Sequence, residues 1–302
     1  MKQQLDLSVI IVSYNTRLVT LKCLRSIFEY TRGLSFEVIV VDNGSSDGST
    51  DMLRRFKRKN PLRVIASKKN LGFGRANNRG AKIARGKYLV FLNSDTLLTT
   101  NSLKISLEEA KKIKLLGAYS CRLLNADGTI QPTGGFFPTP ARILTWQLFL
   151  DDLPLIKYWF RPVHPTVSWY GEKIELDWLT GAFMLIPRKI FALVHGFDED
   201  IFMYVEDTDL CYRLRQLGRI AVYSPTTAII HLGGASGSNG NSLVAEAKQT
   251  AFFVRKHFGP MAAFVSIFLI KLGSLLRWVL FGIIIPNETK AHSYRQILFS
   301  RF

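Results

Sequence analysis

Three acidic residues lie close together in the segment YVEDTDLCYRLRQLG, residues 204–218: Glu206, Asp207 and Asp209. Leucines recur at helical spacing after them and Gly218 follows, so the spacing predicts a helix that begins near the acids and ends at this glycine. The helix macrodipole favours acids at such a position by ~0.3–1 kcal/mol, which explains one or two of them as structural. A carboxylate placed here could also take a proton from an attacking hydroxyl group.

A second polar cluster ends an apolar run in YLVFLNSDTLLTT, residues 88–100, where Asn93, Ser94 and Asp95 follow Tyr, Leu, Val and Phe side chains. A divalent cation such as Mg²⁺ or Mn²⁺ prefers carboxylate oxygens and brings phosphate oxygens with it, so Asp95 is a candidate metal ligand. Asn93 keeps an acceptor oxygen without the charge, which suits a ribose hydroxyl better than direct ligation. A turn alone would explain a single cluster of this kind.

The elements that must position these residues are strands alternating with helices. Four β-branched or apolar runs lack polar alternation, as strands buried on both faces do: residues 7–13, 36–42, 62–66 and 88–93. Helical patterns separate them, which predicts a doubly wound, mostly parallel α/β sheet. The carboxyl ends of parallel strands share one edge of such a sheet, and ligands bind at that edge.

Polar or small residues follow all four predicted strands, at the edge where a ligand would bind. Asp42 could accept a hydrogen bond from the ring N–H of a pyrimidine, although turn chemistry also explains an Asp before Asn-Gly. The other candidates that would line this pocket after the first and third strands are Ser13, Tyr14, Asn15, Asn70 and Gly72. Four polar termini on one edge predict a binding cleft.

The bulk composition is that of a folded, strongly basic protein. The chain has 302 residues, 47% hydrophobic, with 40 Lys and Arg against 23 Asp and Glu, a net charge of +17. This charge suggests a polyanionic partner: nucleic acid, an anionic membrane surface or a phosphorylated substrate. Three widely separated cysteines fit neither a disulfide framework nor a thiolate metal site, so a reducing cytosol is expected. The first apolar run is too short for a signal-peptide core and is interpreted as a strand.

The motifs, taken in order, resemble those of family 2 glycosyltransferases of the GT-A fold. They are VSYN, VVDNGSSDGS, NLGFGRANNRG, FLNSD, WLTGAFMLI, YVEDTDLCYR and HLGGAS, and they span roughly residues 7–258. The resemblance implies a Rossmann-like nucleotide-sugar half at about 1–120 and an acceptor-binding, catalytic half at about 121–258. It also implies inverting transfer of a sugar from a nucleotide diphosphate, assisted by Mg²⁺ or Mn²⁺. The GxG in GFGRANNRG is misplaced for a dinucleotide fingerprint, which argues against an oxidoreductase.

The resemblance also implies roles for individual residues. Asp207 is the expected catalytic base by its motif position, with Glu206 in reserve, and Asp209 is expected only to cap the helix. His231, in HLGGAS, is the expected second metal ligand beside Asp95. The family pattern is Asp-x-Asp, and this chain has Asn93-Ser94-Asp95 instead.

The segment WLTGAF adds three candidates for donor binding: Trp178, Gly181 and Ala182. The two small residues would permit close approach of the donor sugar. Trp178 could stack on a sugar face, or it could pack in the core.

The rest of the chain contains a proline-rich excursion at 131–165 and an apolar, basic tail at 259–302. The run of residues 261–286 is long enough to span a bilayer, but Lys271 near its middle would cost ~2.5–3.5 kcal/mol there. A helix in the interface of an anionic leaflet fits better, with Lys271 and Arg277 reaching the headgroups. A tail packed on the domain is the alternative.

Together these features predict an enzyme bound peripherally to the cytoplasmic face of the membrane. Within the family the sequence resembles rhamnosyltransferase-type members, which implies a dTDP- or UDP-sugar donor and a polyprenyl-diphosphate-linked saccharide acceptor. The rival is a nucleic-acid-binding protein, suggested by the net charge and by five basic residues between 54 and 59. This run lacks the interleaved aromatic residues that single-strand binders use, so no nucleic-acid partner is expected.

Overall fold

The computed structural model describes residues 5–151, 153, 159, 161–233 and 241–302. These residues form two compact units. The first comprises the described parts of Met1–Gly134 and Thr166–Ser236, and the second those of Gly135–Pro165 and Gly237–Phe302. The sequence predicted a domain of residues 1–258 and a tail of residues 259–302. This division stays a prediction.

The first unit begins with four parallel strands in the order β3-β2-β1-β4. Their bounds coincide with the four predicted runs: β1 (Leu7–Ser13), β2 (Phe36–Asp42), β3 (Leu62–Ala66) and β4 (Tyr88–Asn93). The helices between them are α1 (Arg17–Tyr30), α2 (Ser49–Lys57) and α3 (Phe73–Ile83). The predicted doubly wound α/β arrangement is confirmed.

Helices cover both faces of these strands, which explains why the strands are apolar throughout. Val9 and Ile11 belong to the buried cluster that includes side chains of α1 and α2. Ile10 and Val41 instead face Gly80 of α3, where a Cβ would lie 2.5 Å from Ile10 Cγ2. Alternate residues of one strand therefore pack against different helices.

The sheet continues beyond β4 in the order β4-β11-β6-β12-β5 with mixed strand directions, and β7 and β9 pair with β6 and β12. The strands of this part of the sheet are β5 (Thr96–Leu98), β6 (Leu116–Leu124), β7 (Ile130–Gln131), β9 (Ile174–Leu176), β11 (Phe183–Pro187) and β12 (Ile220–His231). A separate two-stranded sheet pairs β8 (Gly134–Gly135) with β10 (Trp178–Leu179). The helices are α4 (Ser102–Lys111), α5 (Pro140–Gln147), α6 (Arg188–Leu193) and α7 (Glu206–Gln216), with a 3₁₀ turn at Val167–Gly171.

Strand β12 runs from Ile220 to His231 through Pro225, because the register against β6 shifts between Ser224 and Ala228 and accommodates the proline in an irregularity. The excursion at 131–165 contains β7, β8 and α5. The later part of the predicted HLGGAS loop, residues 234–236, lies outside the described residues.

The second unit consists of α5, the long helix α8 (Asn241–Val279), a π-helical turn at Leu280–Ile284 and α9 (Glu288–Phe299). Gly259 has non-helical backbone angles and Pro260 follows it, so α8 is two helical segments joined at this point. The segment Ser242–Ile284 is long and apolar enough to cross a membrane, judged by length and composition alone.

The sequence suggested that Arg277 reaches outward, but its side chain points into the second unit. Its side chain is buried, and its guanidinium donates to the carbonyl oxygens of Gln147 at 2.9 Å and Trp146 at 2.8 Å. It also lies over the ring of Phe149. These carbonyls are at the end of α5, where unpaired oxygens and the helix dipole favour a cation. The expectation that Arg277 reaches lipid headgroups is therefore wrong.

Candidate active site

A cleft of about 480 Å³ opens in the first unit where β1 and β4 end. Ten of the predicted site residues line it: Tyr14, Asn70, Gly72, Asn93, Ser94, Asp95, Gly181, Ala182, Glu206 and Asp207. Residues not proposed as site residues from sequence also line it, among them Thr16, Asn43, Phe73, Thr180, Phe202, Met203 and Tyr204. Among these additional residues, Phe202, Met203 and Tyr204 are marked in the sequence by their aromatic and apolar character, shortly before the acids of α7.

Besides His231, which is described below, four predicted residues do not line the cleft. Ser13 is fully buried, and its hydroxyl forms a hydrogen bond with Oγ1 of Thr16 at 3.2 Å, so it lies behind a residue that lines the cleft. The Asp42 carboxylate is buried and accepts hydrogen bonds from the backbone N–H of Ser45 and the hydroxyl of Thr50, so both of its oxygens have partners in the loop after β2 and the first turn of α2.

Asn15 and Trp178 complete this group. Asn15 is exposed, has a positive φ of 53° and accepts from the backbone N–H of Ser46, which joins the loops after β1 and β2. Trp178 is half-buried in β10. Direct contacts of these four with the donor stay predictions.

Asp95 lines the cleft, and His231 lies against it although the two residues are far apart in sequence. Strand β5 pairs antiparallel with the end of β12, with Thr96 opposite His231, and the backbone N–H of Leu232 donates to the Asp95 carbonyl at 2.9 Å. His231 Nε2 lies 3.2 Å from Asp95 Oδ1 and 3.2 Å from Asn93 Nδ2. The strand pairing thus brings the two predicted metal ligands together.

The spacing of these two ligand atoms fits a divalent cation. Adjacent ligands of an octahedral ion at ~2.1 Å lie about 3 Å apart, close to the 3.2 Å between Oδ1 and Nε2. Carboxylate oxygen suits Mg²⁺ and Mn²⁺, and imidazole nitrogen is a common ligand of transition metals. No cluster of three or more His, Cys, Asp or Glu side chains able to hold a metal occurs among the described residues, so phosphate and water oxygens would complete the shell.

Asp207 lies at the first turn of α7 and is held by hydrogen bonds to the backbone. Its Oδ2 accepts from the N–H of Gly181 at 3.2 Å, and its Oδ1 accepts from the N–H of Thr208 at 2.7 Å. Burial raises the pKa of this carboxyl, while the backbone hydrogen bonds act in the opposite direction. A fixed carboxylate with a raised pKa is a stronger proton acceptor than a solvated one.

Glu206 lies beside Asp207 but has fewer partners. It is 6% exposed, and its Oε2 has no hydrogen-bond partner among the described residues. Burial first, and the neighbouring Asp207 charge second, raise the pKa of Glu206. The two adjacent carboxyls therefore resist being ionised together.

Asp209, the third acid, has a structural partner. It is fully buried, and Arg213 one turn along α7 donates to its Oδ2 from Nε at 2.8 Å. Arg213 Nη1 also donates to the Gly196 carbonyl at 2.7 Å. Asp209 thus holds the Arg213 side chain, which links α7 to the loop before it. This role is more specific than the predicted one of capping the helix.

The aromatic loop, residues 202–204, is placed by glycine. Gly72 has φ of +81°, and a Cβ there would lie 2.5 Å from the Phe202 carbonyl oxygen. The N–H of Phe73 donates to that same oxygen at 3.1 Å. Gly181 makes room for the ring of Phe73, from which a Cβ would be 2.9 Å away. The small residues serve close packing of the cleft wall.

A doubly wound sheet, a carboxylate–imidazole pair and a buried acid beside one cleft agree with the GT-A resemblance of the sequence motifs. Residues 8–148 match the sequence model described as "Glycosyl transferase family 2". The chain is 28% identical over 242 residues to the N-acetylglucosaminyl-diphospho-decaprenol L-rhamnosyltransferase of Mycobacterium tuberculosis, covering 74% of this chain and 76% of that one. The chain is similar to family 2 glycosyltransferases and, among them, to rhamnosyltransferases.

Two further comparisons agree with this assignment. Rhamnosyltransferase WbbL of Escherichia coli K12 is 27% identical over 169 residues, which is 53% of this chain and 60% of that one. The mannosyltransferase PcManGT of Pyrobaculum calidifontis, solved in complex with GDP-Man and Mn²⁺, superposes with a TM-score of 0.59 at 16% identity over 100% of this chain and 77% of that one. The second likeness shows the fold.

Proposed function

We propose that this glycosyltransferase is an inverting, metal-dependent enzyme that transfers a sugar from a nucleotide diphosphate to a polyprenyl-diphosphate-linked saccharide. The observation that carries the proposal is that Asp95 and Asp207 line one cleft large enough for a sugar and a diphosphate. Rhamnose is the first sugar to test, on a dTDP or UDP carrier, because the relatives named above are rhamnosyltransferases.

In this proposal each side chain of the cleft has a defined task. Asp95 and His231 would hold the divalent cation, and the cation would neutralise the diphosphate that leaves. Asp207 takes the proton from the acceptor hydroxyl as its oxygen attacks the anomeric carbon. The bond from that carbon to the diphosphate oxygen breaks on the opposite side, so the configuration inverts.

A peripheral position on the cytoplasmic face of the membrane belongs to the same proposal. The relative from Mycobacterium tuberculosis is named for a lipid-diphosphate acceptor. Helix α8 of this chain carries a stripe of exposed apolar side chains between residues 261 and 279, which includes Met261, Phe264 and Phe268. An enzyme held at an anionic membrane surface would meet such an acceptor by diffusion in two dimensions. The large apolar side chains of the stripe supply the attraction that holds it there.

The test is a panel of dTDP- and UDP-sugars, with and without Mn²⁺, on wild type and two variants. Asp95→Ala should lose metal-dependent nucleotide binding, measured by calorimetry, because the diphosphate charge is left without its cation. Asp207→Asn should bind the donor within about threefold of wild type. Its transfer to a synthetic polyprenyl-diphosphate saccharide should fall by about 10²–10⁴-fold, because an amide cannot accept the proton.

Glu206→Gln serves as the matched control for the base, since it changes the adjacent carboxyl in the same way. If Glu206→Gln stops transfer and Asp207→Asn does not, Glu206 is the base. If nucleotide binding in the Asp95 variant equals that of wild type with Mn²⁺ present, the metal site is wrong.

A further inference from the structure

The imidazole of His231 has a partner on the side facing away from Asp95. Gln131 Oε1 lies 2.6 Å from His231 Nδ1, while Nε2 is the atom directed at Asp95 and Asn93. Residues 131 and 231 are separated by 100 positions in sequence, and nothing in the motif series of the sequence pointed to this glutamine. The contact is part-buried, so water competes weakly for it.

The two ring nitrogens must differ in this arrangement. An amide oxygen only accepts, so Nδ1 carries the hydrogen when it bonds to Gln131, and the neutral ring then has its lone pair on Nε2. The Asn93 amide nitrogen, 3.2 Å from Nε2, can donate to that lone pair. Gln131 and Asn93 thus favour the tautomer that has its lone pair on Nε2, beside Asp95 Oδ1, where a cation could accept both atoms as ligands.

A short hairpin fixes the position of the glutamine. Strand β7 pairs with β6, with Gln131 opposite Leu123. The turn between them is closed by hydrogen bonds from the N–H of Asn125 to the Thr129 carbonyl and from Asn125 Nδ2 to Thr129 Oγ1, both at 2.8–2.9 Å. The amide is therefore carried on the edge of the main sheet.

We propose that Gln131 is a positioning residue that holds His231 in the tautomer able to bind the divalent cation of the donor complex. The inference rests on the proposed function in one respect, the presence of that cation. Partners of the second ring nitrogen orient metal-binding histidines and alter metal affinity by about 10–100-fold when removed. In this chain the orienting group is a neutral amide, so it fixes the proton on Nδ1 without adding charge.

The experiment compares Gln131→Leu, which removes the acceptor, with Gln131→Glu, which keeps an acceptor oxygen at the same place. Asn125→Ala is the control that loosens the hairpin turn without touching the imidazole. The first readout is the tautomer of His231, from long-range ¹⁵N–¹H spectra of metal-free protein at a pH where the ring is neutral. Wild type, Gln131→Glu and Asn125→Ala should show hydrogen on Nδ1, and Gln131→Leu should shift toward hydrogen on Nε2.

The second readout is the dissociation constant of Mn²⁺ in the presence of UDP or dTDP, from electron paramagnetic resonance. Gln131→Leu should weaken it about 10–100-fold, and Gln131→Glu should restore it to within about threefold of wild type. An unchanged tautomer in Gln131→Leu, or a changed tautomer with unchanged Mn²⁺ affinity, overturns the assignment. If wild type binds no Mn²⁺ with either nucleotide, the proposed metal dependence and this role of Gln131 are both overturned. The tautomer spectra are recorded without metal, so in that case they still show whether Gln131 sets the tautomer of His231.

Discussion

At the scale of single residues, three neighbouring acids at the start of α7 have three different environments. Asp209 is neutralised by Arg213, and Asp207 is held by two backbone N–H groups. Glu206 is buried beside Asp207 with one oxygen that has no partner among the described residues. An ionised carboxylate in that position is costly, because burial removes its water and Asp207 repels it.

We therefore predict that Glu206→Gln stabilises the protein above neutral pH. The raised pKa means that the folded protein binds a proton which the unfolded chain has released, so wild-type stability falls as pH rises from the ordinary glutamate range through the raised value. The amide does not titrate. Its gain in unfolding free energy should reach about 1–3 kcal/mol at alkaline pH and vanish at acidic pH.

Denaturant unfolding of both proteins across this pH range checks the prediction. Asp209→Asn is a useful comparison, because it should destabilise at every pH at which the Asp209 carboxylate is ionised in the wild-type protein. Parallel stability curves for wild type and Glu206→Gln would show that Glu206 does not carry the extra proton.

The sequence predicted part of the site at this scale. Strand ends and helix starts are local patterns, so they located Asn93, Ser94 and Asp95 as well as the acids of α7, all of which lie where expected. Gln131 could not be found in this way, because its contact with His231 depends on two strand pairings that join distant parts of the chain. For Asp42 the sequence predicted a contact with a ligand, but its motif does not reveal that both carboxylate oxygens already have hydrogen-bond partners.

At the scale of elements, the start of α3 and the aromatic loop of residues 202–204 act as one wall of the cleft. The N–H of Phe73 bonds to Phe202, and the Asn43 side chain bonds to the Leu71 N–H and to the Gly72 carbonyl. Two loops that lie far apart in sequence are thus held by backbone atoms. Gly72 is the point at which they come closest.

Gly72→Ala should therefore displace the aromatic loop. A side chain at φ of +81° and ψ of 175°, a region that essentially only glycine adopts, costs about 1–3 kcal/mol, and the collision with the Phe202 oxygen adds to this. We expect a several-fold rise in the KM for the donor together with the loss of stability. Gly218→Ala is the matched control, because Gly218 also has a positive φ of +67° but nothing lies within 4 Å of its added Cβ.

Thermal unfolding and donor titration of both variants separate the two effects. If Gly218→Ala and Gly72→Ala lose the same stability and bind the donor equally well, the close contact at Phe202 has no consequence for the cleft.

Elements were predictable where burial alone decides them. The four parallel strands have apolar side chains on both faces, and their limits could be taken from the sequence. The course of β12 could not, because Pro225 interrupts the apolar pattern and only the register shift against β6 allows the strand to continue. The pairing of β5 with β12 leaves no mark in either segment.

At the scale of the whole molecule, the second unit carries an apolar stripe on α8 that no described residue covers. The stripe consists of exposed side chains that fall on one face of the helix: Met261, Phe264, Val265, Phe268, Leu275, Leu276 and Val279. The opposite side of the helix is buried and includes Ser266, Ser274 and Arg277. Such a distribution, with polar groups inside and apolar groups outside, suits contact with acyl chains.

We predict that Phe264→Ser combined with Phe268→Ser abolishes binding to anionic liposomes without lowering the melting temperature. These rings are 71% and 62% exposed, so the folded protein loses little when they are removed. Each apolar ring contributes about 1.5–3 kcal/mol when it leaves water for the acyl region. High salt should weaken the wild-type interaction only in part, because the apolar contribution persists.

The control is Leu18→Ser combined with Leu193→Ser, which removes apolar side chains that are 64% and 63% exposed in the first unit. Cosedimentation with liposomes of phosphatidylglycerol and phosphatidylcholine measures the difference. Equal liposome binding by the two double variants and wild type would remove the stripe as the membrane contact.

The pairing of β5 with the end of β12 also sets an order of events while the chain is being made. A ribosome that has released residues 1–120 has supplied every strand of the parallel group β3-β2-β1-β4, which can begin to assemble. Strand β5, and Asp95 just before it, must wait for residues 229–231 before β5 gains its partner. A nascent chain should thus remain unable to close the Asp95–His231 pair until most of it has been translated, and a truncation before residue 231 should leave that pair open.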